Sequence, residues 1–266
     1  MKNKFEKPTL TVEELSHALY EVNLQLRDAN KKLVEQEENR LSFLANVSHD
    51  LRSPMTTLSN SLEYLLSQEQ MDPDELRNCL LLMQKRMNYM NVLINDIFLL
   101  SSLETSDEKV KKEPVDIRFF LEDYFYMCEA DSKYEHMTLE LNIDESINET
   151  LIIDPKLMHR VLDNLFSNAV KYSKEDKYLA LGAYKEQDDF IIYVQDHGVG
   201  IAKKHLSKIF NRSYRIDKAR TPDDDTSSGF GLAIVKTIVN RHNGIVSCES
   251  ELGKGSRFII RLPMND

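Results

Sequence analysis

Ser48-His49-Asp50-Leu51-Arg52-Ser53-Pro54 lies inside a run of apolar residues at helical spacing. Toward the N-terminus, Leu15, Leu19, Val22, Leu26, Ala29 and Leu33 alternate four and three apart, which is a heptad seam. Polar residues from Glu35 to Arg40 interrupt it. It resumes at Leu41, Leu44, Leu51, Met55, Leu58, Leu62 and Leu65, shifted by about one residue. The spacing predicts near-continuous helix over 11–66, and the shift reads equally as a stutter or as a joint between two helices. Pro54 removes a helical hydrogen bond and crowds the carbonyl of Asp50, at a cost of roughly 3 kcal/mol. His49 falls off the seam set by Leu44 and Leu51 and should point outward. Asp50 can accept a proton from one ring nitrogen and leave the other nucleophilic. The same residues also read as a surface histidine beside a helix break.

Asp72-Pro73 suits a helix start. Leu76, Leu80, Met83, Met87, Met90, Ile94 and Ile97 then keep three/four spacing, and the pattern ends near Glu104. Two helices joined by a short turn form a hairpin with little core of its own. Two hairpins make a four-helix bundle, so a homodimer is expected. The polar, charged stretch that follows reads as a linker. The expected division is a helical segment 1–40, a helical hairpin 41–105, a linker 106–115 and a second domain 116–266.

Composition narrows the classes. The 266 residues carry 44 acidic against 34 basic side chains, a net charge of −10, which argues against nucleic acid as a partner. No apolar run approaches a membrane span, and residues 1–8 lack the apolar core of a secretory signal. Cys79, Cys128 and Cys248 are too far apart for a disulfide framework or a zinc pattern and suit a reducing, cytoplasmic setting. Glycine is absent from the first 181 residues, and seven of the eight glycines lie between Gly198 and Gly255. That pattern suggests long helices first and close-approaching loops later.

The later part mixes periods. Helix is expected over 115–133, 154–172 and 231–242, and strands over 137–143, 151–153, 178–184, 190–195, 245–249 and 257–262. The mixture predicts a single sheet with helices on one face, an α/β sandwich following the helical hairpin in an α+β chain. Asn164 and Asn168 share a helical face with Lys171 and Tyr172 close by. Carboxamide oxygens can ligate Mg²⁺ beside phosphates, or simply face solvent. Asp196-His197-Gly198-Val199-Gly200 follows a strand, and Gly229-Phe230-Gly231 opens a helix, an arrangement that lets backbone N–H groups meet phosphate. A P-loop is excluded, because Cys248 and Gly255 stand where its first glycine and its Ser/Thr belong. The dinucleotide fingerprint lacks its third glycine.

In order, SHDLRSP, NLFSNAVKY, DHGVGI, IFNRSYR, GFGLAIV and GKGSRF resemble the motifs of sensor histidine kinases of two-component systems, with an H-box hairpin and a Bergerat-type ATP-binding domain. The resemblance runs from about residue 41 to the C-terminus. It implies an ATP-dependent protein-histidine kinase with Mg²⁺ as cofactor. His49 would be the phosphoacceptor, Asp50 its assisting base and Ser53 the position tied to dephosphorylating the partner. Asn168 would bind Mg²⁺, Lys171 would contact phosphate and Tyr172 would lie near adenine. Asp196 would accept from the adenine amino group, with Gly198, Gly200 and Ile201 shaping that pocket. Phe210, Arg212 and Arg215 match the F-box ahead of an ATP lid over 211–228, and Gly229, Gly231 and Leu232 match the second glycine box. Asn164 stands where ATP-hydrolysing relatives commonly have a glutamate, and it cannot act as a base. Ser53, Ser213, Thr226 and Ser227 depart from the usual residues of the family. The implied partner is the receiver domain of a response regulator. The sensor would lie on a separate partner, or on upstream sensor or membrane segments. Two alternatives stand beside this reading: a relay or phosphatase module with an impaired ATP domain, and a coiled-coil scaffold.

Overall fold

The computed structural model describes residues 11–68, 70–105, 110–144, 146–212, 214, 216 and 229–264, apart from the side chains of 36, 39, 40, 104 and 105. It divides into two compact units, Met1–His49 and Asp50–Asp266. Helix α1, Val12–Ser67, is uninterrupted along its length and contains Pro54, so the register shift is a stutter and not a joint. In the first unit Leu15, Leu19, Val22 and Leu26 are each more than half exposed. Among the described residues this apolar stripe is left uncovered.

In the second unit Pro54 is buried, and the hydroxyls of Thr56 and Thr57 donate to the carbonyls of Arg52 and Ser53 at 2.9 and 3.2 Å. Such back-bonding goes with a bent helix. Helix α2 is Pro73–Thr105. It starts where the Asp72 carboxylate accepts the Asp74 N–H at 2.7 Å, and the Tyr64 hydroxyl donates to Glu75 at 2.6 Å across the turn of the hairpin.

The remaining elements are β1 (Glu113–Asp116), α3 (Ile117–Glu129), β2 (Thr138–Ile143), β3 (Thr150–Ile153), α4 (Pro155–Tyr172), β4 (Tyr178–Glu186), β5 (Asp189–Asp196), α5 (Lys203–Leu206), α6 (Gly231–Arg241), β6 (Ile245–Glu251) and β7 (Gly255–Pro263). The main sheet has the order β2-β4-β5-β7-β6, with β2 parallel to β4 and the other pairs antiparallel. Its inner face carries Leu179, Leu181, Phe190, Ile192, Val194, Phe258, Ile260 and Leu262, all buried. Helices α3, α4 and α6 supply the opposing apolar stripes. On α4, Met158, Val161, Leu162, Leu165, Phe166 and Ala169 recur at helical spacing and are all buried. Phe166 meets Tyr124 edge to face at 5.0 Å and Tyr134 at 5.9 Å, which fixes the roll of α4. Each fully buried apolar side chain contributes roughly 1.5–3 kcal/mol.

Two expectations are corrected. The sheet is not single: β1 and β3 pair antiparallel as a separate two-stranded ribbon, Glu113 opposite Ile153. The helix expected over 115–133 starts only at Ile117, because Asp116 caps it by accepting the Phe119 N–H at 3.0 Å. Residues 113–116 form β1, overlapping the stretch read as linker, and Pro114 is tolerated there because it sits in a ribbon edge. Residues 106–109 of that stretch lie outside the described residues.

Candidate functional site

The site is assembled at one end of the main sheet, where α4 ends, β5 ends and α6 begins. Helix α4 starts with Asp154, whose carboxylate accepts the Leu157 N–H at 3.1 Å, with Pro155 at the first position. Its buried stripe turns Asn164 and Asn168 to the half-buried side of the helix. Asn164 packs against the start of α6: its Oδ1 lies 3.1 Å from where a side chain on Gly231 would begin. Its Nδ2 is buried without a hydrogen-bond partner. Asn168 is half-buried, and its carboxamide takes no protein partner among the described residues.

At the other end of α4, the Tyr172 carbonyl accepts the Val199 N–H at 3.0 Å and lies 2.3 Å from where a side chain on Gly198 would begin. Tyr172 is exposed, and the Lys171 ammonium sits 5.1 Å from the centre of its ring. The loop after β5 is therefore stitched to α4. It is stitched equally to the β6–β7 turn, since the Gly253 N–H donates to the Val199 carbonyl at 2.8 Å. Gly200 (φ +68°) would place a side chain 2.1 Å from the Glu251 carbonyl, so the turn and the loop can meet only at glycine.

Asp196, the last residue of β5, is 6% exposed. Its Oδ1 accepts two backbone N–H groups, from Gly198 at 2.8 Å and Ser256 at 3.2 Å. Burial raises this carboxyl above its ordinary value, and the two N–H donors act against that rise. Oδ2 takes no protein donor among the described residues and remains available to a ligand N–H.

Helix α6 opens with Phe230 at its cap and no side-chain cap bond among the described residues; the first-turn N–H groups of a helix are the ones its own backbone leaves unpaired. Gly229 has φ +70°, and Leu232 is half-buried beside it. Ahead of this helix, Phe210 packs edge to face with Phe258 at 6.4 Å, and the Tyr214 hydroxyl meets His205 Nδ1 at 2.7 Å. Arg212 is half-buried, and burial pulls its guanidinium below its ordinary value. Arg215, Ser213, Thr226, Ser227 and lid residues 217–228 lie outside the described residues.

Asn164, Asn168, Lys171, Tyr172, Asp196, Gly198, Gly200, Ile201, Phe210, Gly229, Gly231 and Leu232 thus lie on elements that the structure brings together. His49 is exposed and is the last residue of the first unit, while Asp50 and Ser53 follow it in the second. Chemically, the second-unit site offers a buried carboxylate acceptor, an open helix N-terminus, a lysine and two carboxamides. That set suits an adenine nucleotide with a hard cation at its phosphates. The residues present fit Mg²⁺, since the Asn168 carboxamide is unengaged and oxygen-bearing.

Sequence reasoning missed Ser250 and the Ser256 N–H, which brace the loop and Asp196. The turn between them was visible in Gly253-Lys254-Gly255, but nothing in the string ties it to Asp196. It also missed His242 and the pair Asp96–Arg160, whose partners lie far apart in the chain.

Residues 153–266 match the family model of histidine kinase-, DNA gyrase B- and HSP90-like ATPases. Residues 39–106 match the His Kinase A (phospho-acceptor) domain. The sensor protein SrrB of Staphylococcus aureus (strain MRSA252) is 32% identical over 231 residues, covering 85% of this chain and 38% of SrrB. The chain therefore spans well under half the length of that relative. Among solved structures, the Acinetobacter baumannii histidine kinase AdeS gives a TM-score of 0.61 at 23% identity, over 82% of this chain and 98% of that one. Histidine kinase ThkA, solved in complex with response regulator protein TrrA, gives 0.68 at 17% identity, over 92% of this chain and 66% of that one. These two likenesses show the fold. Among the described residues, no helix is long and apolar enough to cross a membrane.

Proposed function

This chain belongs to the sensor histidine kinases, with a phospho-acceptor domain and an ATP-binding ATPase-type domain, and from that premise we propose that it phosphorylates itself on His49 and passes the phosphoryl group to an aspartate of a response regulator. The carrying observation is the state of Asp196: one oxygen is held by two backbone N–H groups, and the other is left for the adenine amino group.

The roles follow the chemistry of each group. Asp196 fixes the base, with Gly198, Gly200 and Ile201 forming the wall beside it. Tyr172 covers the base from the end of α4. Lys171 and Arg212 neutralise phosphate charge, with Arg215 assigned to the same task by its motif position. The uncapped N-terminus of α6, at Gly229, Gly231 and Leu232, faces the phosphates. Asn168 would hold Mg²⁺, with Asn164 beside it; bound there, the ion would screen charge on the phosphate oxygens. Asn164 carries an amide where a hydrolytic site needs a carboxylate base, so water is not activated and phosphoryl transfer is favoured over hydrolysis. At the acceptor, Asp50 would take a proton from one nitrogen of the His49 imidazole while the other attacks the γ-phosphorus in line; the new N–P bond forms as the bond to the β–γ bridging oxygen breaks, and ADP leaves. Ser53, four residues on in the sequence, would position water for removing phosphate from the partner.

The exposed seam of α1 supports assembly as a homodimer through the helical hairpin, and the likeness to a sensor protein supports a signalling role. The division into 1–40, 41–105, 106–115 and 116–266 is part of the same reading. With ATP labelled at the γ-phosphate, wild type is expected to become labelled and His49→Ala to lose the label while still binding nucleotide. Asn168→Ala should lose Mg²⁺-ATP binding. Label persisting on His49→Ala would overturn the assignment of the acceptor.

A further inference from the structure

At the rim of the main sheet, three polar residues stand side by side on neighbouring strands. Asp196 of β5 is opposite Ser256 of β7, and Ser256 is opposite Ser250 of β6. One row further in, the same face carries Val194, Phe258 and Cys248. The polar row is therefore a local exception on an apolar face, and it coincides with the mouth of the nucleotide site.

Ser250 is the busiest member. Its Oγ accepts the Ile201 N–H at 2.7 Å, donates to the Gly255 carbonyl at 2.7 Å and meets the Ser256 hydroxyl at 3.0 Å. A serine hydroxyl has one proton to give and two lone pairs to receive, so three partners exhaust it. Each partner belongs to a different part of the pocket. Ile201 closes the glycine loop that follows Asp196. Gly255 ends the β6–β7 turn, whose Gly253 N–H holds Val199 of that same loop. Ser256 sends its backbone N–H to Asp196 Oδ1.

We infer that Ser250 is a positioning residue for adenine recognition: its hydroxyl ties the glycine loop to the strand that aims Asp196, and so sets how well the site tells a 6-amino purine from a 6-oxo purine. The inference rests on the reading of Asp196 as the acceptor for the adenine amino group. Ser250 itself touches no substrate. Removing its hydroxyl leaves the Ile201 N–H, the Gly255 carbonyl and the Ser256 hydroxyl without this partner, and frees the loop to drift relative to Asp196. Hydrogen bonds to a site's fixed polar groups discriminate strongly only while those groups are held in place.

The test measures binding of ADP and of inosine diphosphate, whose ring carries an oxo group at the amino position, to the full chain by titration calorimetry. Thermal unfolding is followed in parallel. Ser250→Ala should weaken ADP binding by about 5- to 20-fold and shrink the preference for ADP over inosine diphosphate by at least about 5-fold. Ser250→Thr, which keeps the hydroxyl, should stay within about 2-fold of wild type. Should the alanine variant fail to fold, Ser250→Cys, close in size and a poor hydrogen-bonding group, should show the same loss of preference. An unchanged ADP preference in a folded Ser250→Ala or Ser250→Cys protein overturns the inference and leaves a purely structural role. A threonine variant as impaired as alanine overturns it too, because packing would then be the cause. Asp196→Asn separates the two layers: if it still prefers ADP, the reading of Asp196 itself fails, whatever Ser250 does.

Discussion

Two glycines in one turn show how unequal neighbouring positions can be. Gly253 (φ +88°) and Gly255 (φ +100°) both adopt backbone conformations that other residues avoid. A side chain on Gly253 would meet nothing within 4 Å, whereas one on Gly255 would begin 2.0 Å from the Asp196 carbonyl. Gly253→Ala should therefore cost only the conformational penalty, about 1–2 kcal/mol. Gly255→Ala adds a backbone collision and should cost about 2–4 kcal/mol, with loss of nucleotide binding because the collision displaces Asp196. Urea denaturation of the two variants, with nucleotide titration of each, checks the contrast. Equal losses would mean that the turn yields as a unit.

Helix α4 is held at its start by more than its cap. The Asp154 carboxylate also accepts the Lys111 N–H at 2.8 Å, tying down the segment before β1. The Asp154 N–H donates to His242 Nε2 at 2.9 Å, and His242 Nδ1 donates to the Ile238 carbonyl at 2.8 Å at the end of α6. With one ring nitrogen donating and the other accepting, the imidazole is neutral in this arrangement. Burial, first, holds its pKa below the ordinary histidine value; Lys112 pushes the same way, while the Ile238 carbonyl and Asp154 oppose the shift. The folded form thus prefers the neutral ring. Its contribution is complete above the unfolded histidine value of about 6.5 and is lost as pH falls from there through the lowered folded value. Wild-type melting temperature should drop between pH 7.5 and pH 5, and His242→Gln, which cannot take up a proton, should show a shallower drop over that interval. Parallel profiles for the two proteins would remove His242 from the pH response.

Across the second unit, the hairpin and the ATP-binding domain are joined by an ion pair set in an apolar stripe. Leu93, Leu100 and Leu103 of α2 are at most 1% exposed, and Asp96, on the same face, is 3% exposed. Arg160 of α4 donates to the Asp96 carboxylate, reaching in from a position that is 36% exposed. Removing Arg160 takes a charged partner from the buried Asp96 carboxylate, whereas replacing both residues by apolar groups removes the charge that needs one. Arg160→Ala should destabilise the chain by about 2–3 kcal/mol, less than a wholly enclosed pair would, and Asp96→Leu combined with Arg160→Met should recover most of that loss. A double-mutant cycle in chemical denaturation measures the coupling. Additive losses would show that the two residues act independently.

The residues that determine local structure were legible in order along the chain. Heptad spacing from Leu15 onward specified α1, Asp154-Pro155 specified the start of α4, and the motifs after residue 160 marked side chains that folding gathers at one end of the main sheet. Helical period, capping chemistry and glycine placement act over a few residues, so a string records them. What folding alone decided are the pairings between distant segments. Strand β1 is four residues long and includes a proline; it has no readable period, and it exists because β3 lies beside it. Ser250, a serine like many others in the string, came to hold the glycine loop beside Asp196 only when β6, β7 and β5 fell into register. Asp96 looked like one polar residue on a helix until α4 brought Arg160 to it. Such partners are set by burial and strand register, which depend on the whole packed chain and leave no short-range mark in the sequence.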